Sequence, residues 1–145
     1  SHTGRDQENG RTMEKALNGD FTRRTLVIKG RLDNLNDYTK ACRTNKFAGA
    51  KCKAKNEDII TDHILEQLSG IHFVGKTYLH FRWIEPNRNR DLDNVCFAKK
   101  FILDALVNNQ VIETDGWKGV WGFTDEFDVD ALDPRIEVVI EGRLK

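Results

Sequence analysis

"KTYLHFRWIEPNRNRDLDNVCFAKKFILDAL", residues 76–106, changes its hydrophobic period part-way along. From Lys76 to Glu85, Thr77, Leu79, Phe81 and Trp83 alternate with Tyr78, His80, Arg82 and Ile84. A period of two predicts a strand that turns Leu79, Phe81 and Trp83 toward a core. Pro86 has no N–H to give a ladder and stops it. From Asn94 to Asn108 the period is helical: Val95, Ile102 and Leu106, with Ala98 and Ala105, make one apolar face that Phe97 and Phe101 widen. A strand that gives way to a helix of this kind predicts sheet and helix layers packed on each other.

The same reading extends outward. "RTLVIKG" (24–30) predicts a first strand. The basic segment after it reads as a long connection, with a helical turn near Asp37. "NEDIITDHILEQLSG" (56–70) predicts a helix capped by Asn56 or Asp58, striped by Ile60, Ile64 and Leu68, and ended by Gly70. Residues 118–130 predict a third strand with a glycine-marked bulge, and 135–142 a fourth with Ile136, Val138 and Ile140 inward. The expected class is α/β (α+β): a small mixed β-sheet with two helices, in the order β-α-β-α-β-β, its last two strands a hairpin. Residues 1–22 read as a flexible N-terminal segment before a domain at 23–145. Met13 is a candidate natural start, with residues 1–12 then a foreign remnant.

Two carboxylates, Asp91 and Asp93, stand two apart at the mouth of the second helix. In extended chain both would point one way, as a pair able to hold a hard cation. A third, Asp115, lies in "VIETDGWKG". A helix over Asn94–Asn108 spans about 22 Å, and the residues between it and Asp115 can return about 23 Å when extended. Asp115 can therefore just reach back. Along one continuous helix Asp93, Phe97, Lys100 and Asp104 would share a face, so Lys100 could stand over the carboxylates. Each residue also has a bland reading: Asp93 as an N-cap, Asp91 as a loop residue, Asp115 as a turn residue, and Asp104 as an ion-pair partner of Lys100. Trp117 and Trp121 read as core or interface residues.

Net charge is zero, with 23 basic and 23 acidic residues. The distribution is uneven. Residues 38–55 carry Lys40, Arg43, Lys46, Lys51, Lys53 and Lys55 without one acid, and Arg88, Arg90, Lys99 and Lys100 follow later. A neutral chain can thus present a basic face. Three cysteines and four histidines show no ligand spacing, which fits reduced thiols in a cytoplasmic protein. No apolar run approaches a membrane span.

"RDLDNVCFAKKFILDAL", then "VIETDGWK" and "PRIEVVIEG", together resemble the RusA-type Holliday junction resolvases, many of them prophage-encoded, over roughly Thr25–Glu141. The resemblance implies a homodimer that cuts four-way or branched DNA by paired symmetric nicks, in DNA recombination and repair. It implies Mg²⁺ as cofactor, with Mn²⁺ as a substitute. It places the metal-binding aspartates on Asp91, Asp93 and Asp115. The catalytic lysine falls on Lys100, counting back from "DAL"; this chain has about three residues more than the founding pattern there, which leaves Lys99 as the alternative. Asn36 and Tyr38, with Lys40, Arg43, Lys46, Lys51, Lys53, Arg88, Arg90 and Lys99, are the expected DNA contacts. The alternative functions are a non-catalytic junction-binding accessory protein, a restriction-type nuclease (for which "DGWK" has the wrong spacing) and a structural phage component.

Overall fold

Every second side chain of the Lys76–Glu85 strand is buried, as alternation requires: Leu79 is 0%, Phe81 1% and Trp83 1% exposed. The computed structural model describes residues 21–145. The chain runs β1 (Phe21–Lys29), α1 (Leu35–Thr44), α2 (Lys46–Gln67), β2 (Phe73–Glu85), α3 (Leu92–Cys96), α4 (Lys99–Asn108), β3 (Val120–Val129) and β4 (Arg135–Leu144). This is a mixed α+β fold. Most of the predicted 1–22 segment lies outside the described residues, but Phe21 and Thr22 belong to β1.

The sheet order is β1-β4-β2-β3. β4 runs antiparallel to both β1 and β2, and β3 runs parallel to β2. The expected β3–β4 hairpin is therefore not formed, because β2 lies between the two strands. Asp130–Pro134 carries the chain across the end of β2, tied by Asp130 N–H to Glu85 O at 2.8 Å and by Gly30 N–H to Pro134 O at 2.8 Å. The two strands with the most regular apolar faces take the centre, and β3, with Asp125, Glu126 and Asp128, takes a charged edge. The predicted bulge is present: Thr77 pairs with Val120 and Tyr78 with Gly122, so Trp121 is the extra residue.

The core forms where Leu26, Ile28, Val138 and Ile140 of the sheet meet Ile60, Ile64, Phe101, Ile102 and Leu106 of the helices. Two helix expectations need correction. α2 starts at Lys46, ten residues before Asn56; its N-cap is Asn45, whose Oδ1 accepts Ala48 N–H at 2.8 Å. Asn56 is an interior residue, 1% exposed. The expected Asn94–Asn108 helix is two helices, joined by the tighter bonds Ala98 N–H to Val95 O and Lys100 N–H to Phe97 O. That junction lies where Phe97 and Phe101 pack on Tyr38, with ring centroids 5.5 and 5.7 Å away.

Antiparallel to the first half of α2 lies α1, a helix with no buried residue. Asn34 starts it through a capping box: Asn34 Oδ1 accepts Asp37 N–H, and Asp37 Oδ2 accepts Asn34 N–H, both at 2.9 Å. The two helices touch closely at Gly49, where a Cβ would come within 2.9 Å of Cys42 Sγ. No described helix is long and apolar enough to cross a membrane.

Candidate active site

The DLD motif sits at the turn into α3. Asp91 is extended (φ −67°, ψ 152°) and occupies the N-cap position, but its side chain makes no capping bond. Leu92 already starts the helix, so Asp93 lies in the first turn and not on extended chain. The extended-chain argument for a shared face thus does not hold, and neither carboxylate is a working cap. Asp93 Oδ1 accepts only the neighbouring Asn94 N–H, at 3.0 Å. Both residues are exposed, and neither forms an ion pair among the described residues.

Asp115 does return to α4. Its Oδ2 lies 4.0 Å from Lys100 Nζ, which also meets Asp104 Oδ1 at 3.3 Å. Asp104 Oδ2 is 3.4 Å from Lys53 Nζ on α2. Lys53, Asp104, Lys100 and Asp115 so form a chain of alternating charge that links α2, α4 and the loop. Beside it stands Glu57, whose carboxyl is pushed above its ordinary range by burial, and whose Oε1 has no hydrogen-bond partner. The loop that carries Asp115 is pinned at both ends. At one end Val111 N–H reaches Leu106 O at 2.9 Å, and at the other Thr77 N–H reaches Gly119 O at 2.9 Å. At Gly119 a Cβ would lie 2.1 Å from Thr114 O, so only glycine lets the chain pass there.

Adjacent lysines part company. Lys99 turns to the sheet: Nζ is 2.6 Å from Asp125 Oδ2 and stands over the Phe81 and Phe123 rings at 5.2 and 5.0 Å. Trp83 Nε1–H holds the other oxygen of Asp125 at 2.9 Å. The Lys99 side chain is 19% exposed, that of Lys100 60%. Asp125 was not singled out from sequence, although the alternation Phe123, Asp125, Phe127 places it on the face toward the helices.

Of the expected DNA contacts, Asn36, Lys40, Arg43, Lys46, Lys51 and Arg88 are exposed. The five cations among them have no acidic partner within 4 Å among the described residues. The other four are engaged elsewhere. Tyr38 packs on Phe97 and Phe101, Lys53 pairs with Asp104, and Lys99 pairs with Asp125. Arg90 donates to Leu32 O at 3.2 Å and faces Asp37 at 3.6 Å. Lys55 binds Asp33 at 2.8 Å. Trp117, read as core or interface, is 93% exposed and so is no core residue; Trp121 lies under Lys76 Nζ, 4.5 Å from its ring.

The donors suit a hard cation in kind, since Mg²⁺ is commonly held by one or two carboxylates with waters and substrate phosphate completing its shell. Asp91 and Asp93 are two such carboxylates, without competing cations. No three His, Cys, Asp or Glu side chains among the described residues are grouped to hold a metal ion, so Asp115 does not close a three-carboxylate cage with them. No protein-family model matches the chain, and no curated protein matches it.

Proposed function

We propose that this protein is a Mg²⁺-dependent, structure-specific endodeoxyribonuclease of RusA type. It resolves four-way DNA by paired symmetric nicks, as a homodimer, in recombination and repair in the cytoplasm of a bacterial or phage-infected cell. The observation that carries the reading is the approach of Asp115 to Lys100, which brings the third motif acid back to the first turn of α4. It joins the sequence likeness of the DLD motif.

In this reading Asp91 and Asp93 would hold the metal, which would supply an activated water and offset charge on the phosphoryl oxygens. Lys100, held between Asp104 and Asp115, faces the charge that develops on the phosphate. Asp115 keeps the Lys100 ammonium on the α4 side of the site. Lys40, Arg43, Lys46, Lys51 and Arg88 take backbone phosphates, which gives affinity without sequence. A two-fold dimer presents two such sites to a junction with near two-fold symmetry.

A second reading, a junction-binding accessory protein, is favoured by one observation: the three aspartates are not grouped as a metal cage. One experiment separates the two. Labelled four-way junction is incubated with the protein, with and without Mg²⁺, beside Asp93→Asn. Paired nicks that need Mg²⁺ and vanish in the variant, while binding survives, support the nuclease. Binding without cleavage under any divalent ion supports the accessory protein.

A further inference from the structure

We infer that the cavity between α3 and the C-terminal ends of β2 and β3 takes an unpaired nucleobase of the bound DNA. The inference rests on the DNA-binding reading above and adds a ligand subsite to it. The cavity measures about 400 Å³, within the usual range of small-molecule pockets. The apolar part of its wall is Leu92, Val95, Phe127 and Val129; polar and charged side chains make up the rest. Leu92 is 58% and Val129 40% exposed, so apolar surface faces solvent immediately beside Asp91.

The polar groups around it are unequal. Two of the three carboxylates are already engaged: Glu85 by Arg31 at 2.7 Å, and Asp128 by Arg82 at 3.1 Å. Arg90 is spent on Leu32 O and Asp37. Asn87 Oδ1 accepts Asn89 N–H at 3.0 Å. What remains without a partner among the described residues is the Asn87 amide nitrogen and the Arg88 guanidinium, both donors, and the Asp91 carboxylate, an acceptor. An occupant therefore needs a flat apolar face for Phe127 and Leu92, and hydrogen-bond acceptors on its edge. A nucleobase has both, and Arg and Asn are the side chains that pair with base edges. Because Asp91 lies in the cavity wall, the base belongs to a nucleotide next to the phosphate that the DLD motif would hold. Asn87 would then give the site its preference for the sequence at the nick.

The test uses the full chain and four-way junctions carrying 2-aminopurine at successive positions around the crossover, in Ca²⁺ or EDTA. Binding is expected to raise the fluorescence at one position, as a base leaves the stack. Asn87→Ala is expected to cut the fraction of unstacked base about fivefold, the worth of one hydrogen bond, with junction affinity falling by no more than the same factor. Val129→Phe, which fills the cavity, is expected to abolish the rise; thermal unfolding checks that both variants fold. No rise at any position in bound wild type overturns the inference and leaves the nuclease reading standing if Mg²⁺ yields nicks. A rise that survives both variants overturns it too. A rise in a protein that never cuts keeps the subsite and rejects the nuclease. Failure to bind any branched DNA overturns both.

Discussion

Asn56 shows how far one buried polar residue is committed. Its Oδ1 accepts Asp33 N–H at 2.9 Å, and its Nδ2 donates to Asp33 Oδ2 and Cys52 O, each at 2.8 Å. Asn56→Ala leaves the Asp33 N–H unpaired, while Asp33 Oδ2 keeps Lys55 and Cys52, and should cost about 1–3 kcal/mol in urea unfolding. Burial pulls Asp33 upward, but hydrogen bonds from Lys55, Asn56 and Cys52 outweigh it and hold its carboxyl below the ordinary 3.8. A depressed carboxylate contributes stability that is present above its unfolded pKa and lost as pH falls through the folded one. The stability gap between wild type and Asp33→Asn should thus be full at pH 6 and close progressively below about pH 4, read by thermal melts across pH. Cys52 is driven the other way: burial, then its hydrogen bond to Asp33, push its thiol up to about 11. At neutral pH it should hold about a hundredfold less thiolate than a free cysteine, so iodoacetamide should label exposed Cys42 first, as peptide mass spectrometry would show. None of this network was legible in the sequence. Asn56 reads as a cap because the apolar stripe begins at Ile60; what buries it is α1 and Asp33, which no local period announces.

Elements were legible where an apolar period marks them. β2 and β4 alternate cleanly, and the stripe Ile60, Ile64 and Leu68 was found. The first half of α2 escaped because its close backbone packing is on α1, through Gly49 and Cys42, and it carries no stripe; Asn45 and the Ala/Lys-rich composition were the signals on offer. The choice between Lys99 and Lys100 was also open. Neighbours on a helix point about 100° apart, and which of them meets β3 depends on the crossover that places Asp125. The length estimate allowed Asp115 to return toward the first turn of α4 but did not give the partner it meets there: it reaches Lys100 and is not grouped with Asp91 and Asp93. The precision of that approach belongs to the loop. Gly119→Ala would drive a Cβ into Thr114 O, and the loop must shift. We expect a loss of about 1–3 kcal/mol in thermal unfolding. If Asp115 positions Lys100, junction cleavage should also fall by about 10²-fold, as for an ångström-scale misplacement. Cleavage that is untouched despite the stability loss would remove Asp115 from the site.

At the scale of the whole molecule, strand order and charge placement decide what the surface offers. The hairpin expectation failed because strand adjacency is a competition, not a local property: β4 pairs with β1 and β2, which leaves β3 only the far edge of β2. The consequence is a segregated surface. β3 puts Glu126 and Asp128 on one edge, while α1 and the start of α2 put Lys40, Arg43, Lys46 and Lys51 on exposed positions. Phe47, 85% exposed, stands among these cations. A net charge of zero thus hides a cationic pair of segments, α1 and the start of α2. If that pair takes backbone phosphates, each neutralised phosphate releases condensed counterions, and log affinity falls linearly with log salt. Changing Lys40, Arg43, Lys46 and Lys51 together to Ala should weaken junction binding at low salt and flatten the slope by about 0.9 for every phosphate no longer neutralised. Fluorescence anisotropy from 50 to 200 mM KCl reads both quantities. All four positions are exposed, so the melting temperature should stay near that of wild type. A slope that does not change would move the phosphate-binding cations off α1 and α2. Arg88 would then be the first place to look, since it is exposed, lacks an acidic partner among the described residues, and lies next to the DLD motif.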